Sequence, residues 1–294
     1  MGIVGPCLYP DAVTKQLPSF VAVHLVCLAG IILLALGYAS RAQDQSTPCV
    51  PPAGSERIRS WGDRYYYGDM PKAGAASSSV IHVLTNEGYV VGYCEARRDP
   101  VWVCYRLSEV ASFKAPPRPK NFVVDARTRA KVASTDYTNS GYDRGHLAPN
   151  YGVALCYGAH AQQETFLMSN IIPQSPNLNR RVWEQLEQAE IKTYAQRFKQ
   201  LWAVDGPIFR GSPKKLGGGV SVPDACFKIL AVEENKQPRI LAFIMPQTVS
   251  GGEVPQQFLT SVAEIEKETG LNFFSELPKD VEQRVEAQTA DRVW

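Results

Sequence analysis

The sequence predicts an α+β fold built on a mixed, mainly antiparallel sheet. Short apolar runs that read as strands outnumber helical patterns, and the two do not alternate regularly as a parallel α/β sheet requires. Two neighbouring runs, Tyr89–Cys94 and Val101–Leu107, also flank a turn at Arg97-Arg98-Asp99-Pro100. With 294 residues, 45% hydrophobic and 20% charged, the chain suits one large domain plus appendages. A formal net charge of +2 does not by itself announce a nucleic-acid binder.

Taken in order, the chain opens on a segment that is apolar from Phe20 to Leu36 apart from His24. Ser40 and Ala42 are small residues at the −3 and −1 positions of a cleavage site. The run exceeds a usual signal-peptide core and falls short of a comfortable span of roughly 20 residues. Residues 1–42 therefore read as an export signal or, alternatively, as an uncleaved membrane anchor through residues 20–36. Either reading puts the remainder outside the cytoplasm, periplasmic, secreted or anchored. Residues 43–76 carry Pro51, Pro52, Gly54 and Pro71 with little periodicity, and read as a linker with an aromatic patch at Trp61 and Tyr65–Tyr67. The folded domain is expected over 77–287, with a short tail at 288–294.

Within that domain, Ile81–Leu84, Tyr89–Cys94 and Val101–Leu107 read as strands, and Ala115-Pro116-Pro117-Arg118-Pro119 as a rigid extended connector. Phe166–Ile172 is a further strand candidate. From Asn177, apolar residues Leu178, Val182, Leu186 and Ala189 recur at helical spacing, and the helix extends as far as Phe198. Leu201–Val204, Phe227–Val232 and Ile240–Ile244 look like buried strands. Phe258, Val262 and Ile265 mark an amphipathic helix that Gly270 caps. Of the seven cysteines, Cys94 and Cys104 lie equally far from a turn centred on Asp99, so a disulfide across that hairpin is geometrically open. Cys49, Cys94, Cys104, Cys156 and Cys226 follow the apolar segment, and an odd number leaves one free or paired between chains.

Chemistry concentrates in two clusters. The first is Tyr142-Asp143-Arg144-Gly145-His146-Leu147-Ala148-Pro149-Asn150, in which the glycine before His146 permits unusual backbone angles and Arg144 is a bidentate partner for phosphate oxygens. From Lys114 to His146 there are seven Lys or Arg against three Asp, an excess of four just upstream of this candidate base. A plain solvated basic face would look the same. His24, His82 and His160 lie in the apolar segment, a strand and a loop, so His146 is the histidine with chemical company. The second cluster is Asn179–Glu187. On a regular helix these two side chains share a broad face over about 12 Å. A magnesium ion bonds oxygen at about 2.0–2.1 Å, so one side chain would bind directly and the other through a metal-bound water. Asn179 capping the helix, with Glu187 in surface pairs, is the structural alternative.

Together these residues resemble the DNA/RNA non-specific endonuclease family, the ββα-metal finger nucleases of the endonuclease G type. The resemblance runs through Asp136-Tyr137, Ser140-Gly141-Tyr142, Asp143-Arg144-Gly145-His146, Ser169-Asn170-Ile171-Ile172-Pro173-Gln174, Leu178-Asn179, Trp183 and Leu186-Glu187. It continues through Asp205-Gly206-Pro207-Ile208-Phe209, Val222-Pro223, Phe227-Lys228 and Gly270-Leu271-Asn272-Phe273-Phe274, covering roughly residues 80–286. It implies His146 as the general base acting on water, Asn179 as direct ligand of a hydrated Mg²⁺ (or Mn²⁺), and Glu187 ordering that ion's water shell. Arg144 and Arg118 match arginines that contact phosphate, with Arg127 or Arg129 as substitutes for Arg118, and Arg180 joins the substrate-binding set. Asp143 is implied as a hydrogen-bond partner. The implied activity is exported, sugar-nonspecific cleavage of DNA and RNA to 5′-phosphate products, with a homodimer as a further expectation. Two alternatives stand beside it: a phosphodiesterase restricted to one nucleic acid or a small nucleotide, and a catalytically silent nucleic-acid-binding protein.

Overall fold

The computed structural model describes residues 65–74 and 80–294. The signal or anchor expected at 1–42, most of the linker, and Cys7, Cys27 and Cys49 lie outside the described residues. Strands β1 (Lys72–Ala73), β2 (His82–Thr85), β3 (Tyr89–Cys94) and β4 (Asp99–Ser108) precede the motif strand β5 (Asp143–His146). Helix α1 (Asn150–Glu164), strand β6 (Ile171–Gln174) and a long helix α2, residues 176–198, follow. The remaining elements are β7 (Gln200–Ile208), β8 (Ala225–Glu234), β9 (Gln237–Pro246), β10 (Leu259–Thr260), α3 (Val262–Thr269), β11 (Leu271–Asn272) and α4 (Lys279–Ala287). Among the described residues, no helix is long and apolar enough to cross a membrane.

Seven strands form one sheet in the order β10-β9-β8-β7-β4-β3-β2, every pair antiparallel. The central strands are buried on both faces, so they read as nearly continuous apolar runs rather than as alternation. Alternate residues feed two cores. Tyr89, Val91, Val103, Tyr105 and Leu107 face α1 and α2, packing with Val153, Val182, Trp183, Leu186 and Ile191. Val90, Trp102, Cys104, Trp202 and Val204 face the other way, toward Val262, Ile265, Phe273, Phe274 and Val285. Gly270 adopts the left-handed conformation (φ 69°) and closes α3, as its position after the periodic stretch predicts.

Several expectations are corrected. The β3–β4 turn occupies Glu95–Arg98, earlier than a centre at Asp99, with Arg98 at φ 59°. Cys94 therefore pairs with Asp99 and Cys104 with Val90. Four residues of strand, about 13 Å, separate the two cysteines, beyond disulfide reach. Cys94, Cys104 and Cys226 are free thiols. The strand expected over Phe166–Ile172 begins only at Ile171. Before it, the fully buried Asn170 bonds the amide and carbonyl of Ala148 and the carbonyl of Thr165, which turns the chain through a short 3-10 segment. His160 lies on α1 rather than in a loop, bonded to Glu87 at 2.9 Å. Residues 65–74, inside the stretch read as linker, join the fold: Tyr67 packs on Trp202 and Phe274, and β1 pairs with β11. At the other end Trp294, in the expected tail, sits edge-on to Tyr194 and Phe198.

Candidate active site

Strands β5 and β6 form a separate antiparallel ribbon in which Gly145 faces Ile172 and His146 faces Ile171, and α2 starts two residues after β6. The glycine of the motif is required by close approach rather than by an unusual φ. A Cβ there would meet the side chain of Gln174 at 2.1 Å. Pinned in this way, the ribbon presents Arg144 and His146 toward a common aromatic neighbour, Phe122, whose ring centre lies 5.3 Å from that of the imidazole.

His146 is 8% exposed. Phe166 stands edge-on to it at 4.9 Å, and its Nε2 has no hydrogen-bond partner. Burial, and secondarily the Arg118 guanidinium, push the imidazole pKa down to about 3, so the ring is neutral at physiological pH. Arg118 lies over the Phe166 ring at 5.0 Å and donates to Asn150 Oδ1 at 3.1 Å. Arg127 is instead locked onto Asp125 and Asn86, and it is the Arg118 charge that acts on the imidazole. Arg144 donates from Nε and Nη2 to the Ser134 carbonyl and stacks over Tyr137.

A second group forms at the other end of β5. Asp143 accepts from Asn179 Nδ2 at 3.0 Å and from Arg180 in bidentate fashion at 2.7 and 2.6 Å. Burial raises the carboxyl pKa, but the bonds from Arg180 and Asn179 outweigh it and hold Asp143 below the usual carboxylate range. Arg180 is thereby committed to Asp143. Asn179 is not the helix cap: its side chain bonds Asp143, and it is Ser175 Oγ that accepts from the Leu178 amide. With Nδ2 committed, the Asn179 carbonyl oxygen has no protein partner among the described residues.

Glu187 lies deeper along α2, which is not a regular α-helix. π-helical turns at Leu178–Trp183 and Glu190–Tyr194 bracket the α-helical Glu184–Ala189. Such turns are frequent at functional sites and upset the even angular spacing a sequence reading assumes. Glu187 makes no surface pair. It is partly buried and accepts from Trp183 Nε1 at 3.0 Å. Burial raises its pKa to about 8, with Lys228 opposing and Glu190 and Asp205 adding to the rise.

No cluster of three His, Cys, Asp or Glu side chains capable of holding a metal exists among the described residues. What the site offers is the neutral amide oxygen of Asn179 and the second carboxyl oxygen of Glu187, neither with a partner among the described residues, and a cation beside Glu187 would offset the burial that favours its protonated form. Such a donor set fits a hard cation that keeps most of its water. Phe122, Phe166 and Asn150 were not legible as site residues. Asn150 ends the motif stretch, but the two phenylalanines come from separate segments with no spacing that links them.

A family model described as DNA/RNA non-specific endonuclease matches residues 67–280. Over 220 residues the chain is 29% identical to a nuclease of a Nostoc species, covering 70% of this chain and 78% of that protein. It is 30% identical over 233 residues to the mitochondrial nuclease EXOG of Danio rerio, covering 71% and 64% respectively. With human mitochondrial endonuclease G the identity is 28% over 222 residues, covering 70% and 73%. The fold is similar to a chain in a crystal structure of the EndoG/EndoGI complex, with TM-score 0.61 and 27% identity over 69% of this chain and 89% of that one. By sequence model and by fold, this chain belongs to the DNA/RNA non-specific endonucleases, metal-dependent hydrolases of phosphodiester bonds.

Proposed function

We propose that the protein is an exported, magnesium-dependent, sugar-nonspecific endonuclease that leaves 5′-phosphate ends on DNA and RNA, with His146 as general base. The observation that carries this reading is the neutral, buried imidazole whose Nε2 has no protein partner among the described residues and on which the Arg118 charge acts. A base must hold a free lone pair at working pH, and this one does. A pKa of about 3 is nonetheless low for efficient proton transfer, which is best near the operating pH. Substrate acts against that depression: a phosphodiester anion engaged by Arg118 offsets the smaller of its two causes, the repulsion that Arg118 exerts on an imidazolium, and the anion's own charge favours the protonated ring against the cost of burial. The imidazole then takes the proton of the attacking water.

Arg118 orients the scissile phosphate beside His146. Arg144, anchored through two of its donors on Ser134, keeps others for a phosphate oxygen. Asn179 Oδ1 would hold the ion directly and Glu187 would order its waters. When bound, Mg²⁺ neutralises charge on the phosphate and stabilises the leaving 3′ oxygen. Contacts confined to phosphate carry no base information, which supports action on both nucleic acids. Residues 1–42 supply the export signal or anchor.

The test is cleavage of supercoiled plasmid and of an RNA transcript by the full chain, with Mg²⁺ and with chelator, beside His146→Ala. Metal-dependent cutting of both substrates, lost in the variant, is expected. Cutting that survives chelation or the substitution sinks the assignment. N-terminal sequencing of the mature protein tests export, and an intact residue 1 on a cytoplasmic protein overturns it.

A further inference from the structure

Beneath α2 lies a charged cluster that the mechanism above does not use. Lys228, Asp205, Glu190 and Tyr105 are all fully buried. Lys228 on β8 and Asp205 on β7 are direct cross-strand partners and form an ion pair. Asp205 in turn faces Val103 of β4, two residues from Tyr105. The ammonium also lies 2.8 Å from Glu190 Oε1 and donates to the Tyr105 hydroxyl at 2.7 Å, while that hydroxyl donates to Glu190 Oε2 at 2.7 Å. Three adjacent strands are thus tied to the second π-turn of α2.

The same ammonium sits 4.5 Å from the ring centre of Trp183. That indole donates its one N–H to Glu187. Burying such charges costs several kcal/mol per ion, and well-packed apolar replacements are often as stable or more so. Stability alone is therefore a poor reason for an ionic cluster in this core, whereas orientation is a good one. The ring of Trp183 is fixed from below by the cation and presents its edge to a carboxylate whose other oxygen stays free.

We propose that Trp183 and the Lys228–Asp205–Glu190–Tyr105 cluster are positioning residues that fix Glu187 for the hydrated cation, through the indole N–H. This rests on the metal-site reading of Asn179 and Glu187. Lys228→Met would leave two buried carboxylates uncompensated and destabilise the whole domain, which masks a local effect on Glu187, so the test uses Trp183→Phe and Tyr105→Phe. The first keeps an aromatic ring beside Lys228 but removes the N–H donor together with part of the indole's volume, a packing loss that the melting temperature registers; the second removes the hydroxyl that bridges Lys228 to Glu190.

Binding of Mn²⁺ to the full chain is measured by electron paramagnetic resonance without substrate, alongside the Mg²⁺ half-saturation for plasmid cleavage and the melting temperature, with Asn179→Ala as control. For Trp183→Phe, metal affinity is expected to fall about 10-fold or more, as for other partners that orient metal ligands. Cleavage should recover at saturating Mg²⁺, and Tyr105→Phe should move the same way by less. Unchanged Mn²⁺ binding and half-saturation, with only the melting temperature lowered, overturns the proposal. If Asn179→Ala also leaves metal affinity unchanged, the metal-site reading fails with it; if Asn179→Ala alone weakens binding, only the positioning role fails.

Discussion

Two basic side chains are buried in this protein under opposite rules. His146 sits among Phe122 and Phe166 with no partner for Nε2, and the surroundings keep it neutral. Lys228 sits among Asp205, Glu190 and Tyr105, and the surroundings raise its pKa and keep it charged. A buried base left unpaired has its lone pair available for a proton, whereas a buried cation held between two carboxylates can only hold other groups in place. Burial alone does not separate scaffold from chemistry; the partner list does.

The comparison is broken most severely at its chemical end. His146→Ala is expected to lower kcat on plasmid by about 10²–10⁴-fold, the usual contribution of a positioned general base. Because Nε2 has no partner to lose, its urea midpoint should fall only by what the ring's packing against Phe122 and Phe166 is worth. A large loss of stability with modest loss of rate would make His146 a structural residue. Lys228→Met should behave the other way round, costing about 3–5 kcal/mol in urea unfolding because two buried carboxylates lose their counter-ion. Full stability in that variant would mean the carboxylates were not held by the ammonium.

pH sharpens the contrast. The imidazole pKa is about 3 folded and 6.5 in the reference state, so below pH 6.5 the unfolded chain binds a proton that the folded chain refuses. The stability that neutral His146 contributes is whole above pH 6.5 and is lost as pH falls toward 3. Between pH 6.5 and 5 this amounts to roughly 2 kcal/mol. Urea unfolding at both pH values should show that difference shrinking in His146→Ala, and an identical pH dependence would mean the ring is solvated. The smallest effect is expected at Arg118→Ala: weaker substrate binding with a salt slope reduced by about one. An unchanged slope would remove Arg118 from the phosphate contacts.

Much of the sheet was legible because β3, β7, β8 and β9 are long apolar runs with few alternatives. Helix α1 was not, since Gly152 and Gly158 interrupt it and the chain kinks at Gly158 (φ 89°). The β3–β4 register was misread because Arg98 adopts a positive φ that sequence does not announce, which moved the turn and dissolved the cysteine pairing. At the site, His146, Arg144, Asn179 and Glu187 stand in two compact motifs and could be named. Phe122 and Phe166, which make the imidazole neutral, come together only through tertiary packing. The role of Lys228 was equally hidden, since a lysine within an apolar strand gives no sign of which carboxylates will surround it.

The core on the outer face of the sheet joins the first described residues to some of the last, with Tyr67 against Phe274 and Lys72–Ala73 paired to Leu271–Asn272. During synthesis from the N terminus, Tyr67 therefore waits some two hundred residues for its ring partner. A nascent chain halted before Phe274 leaves that face of the sheet incompletely covered, so shortening the chain from either end removes the contact between Tyr67 and Phe274.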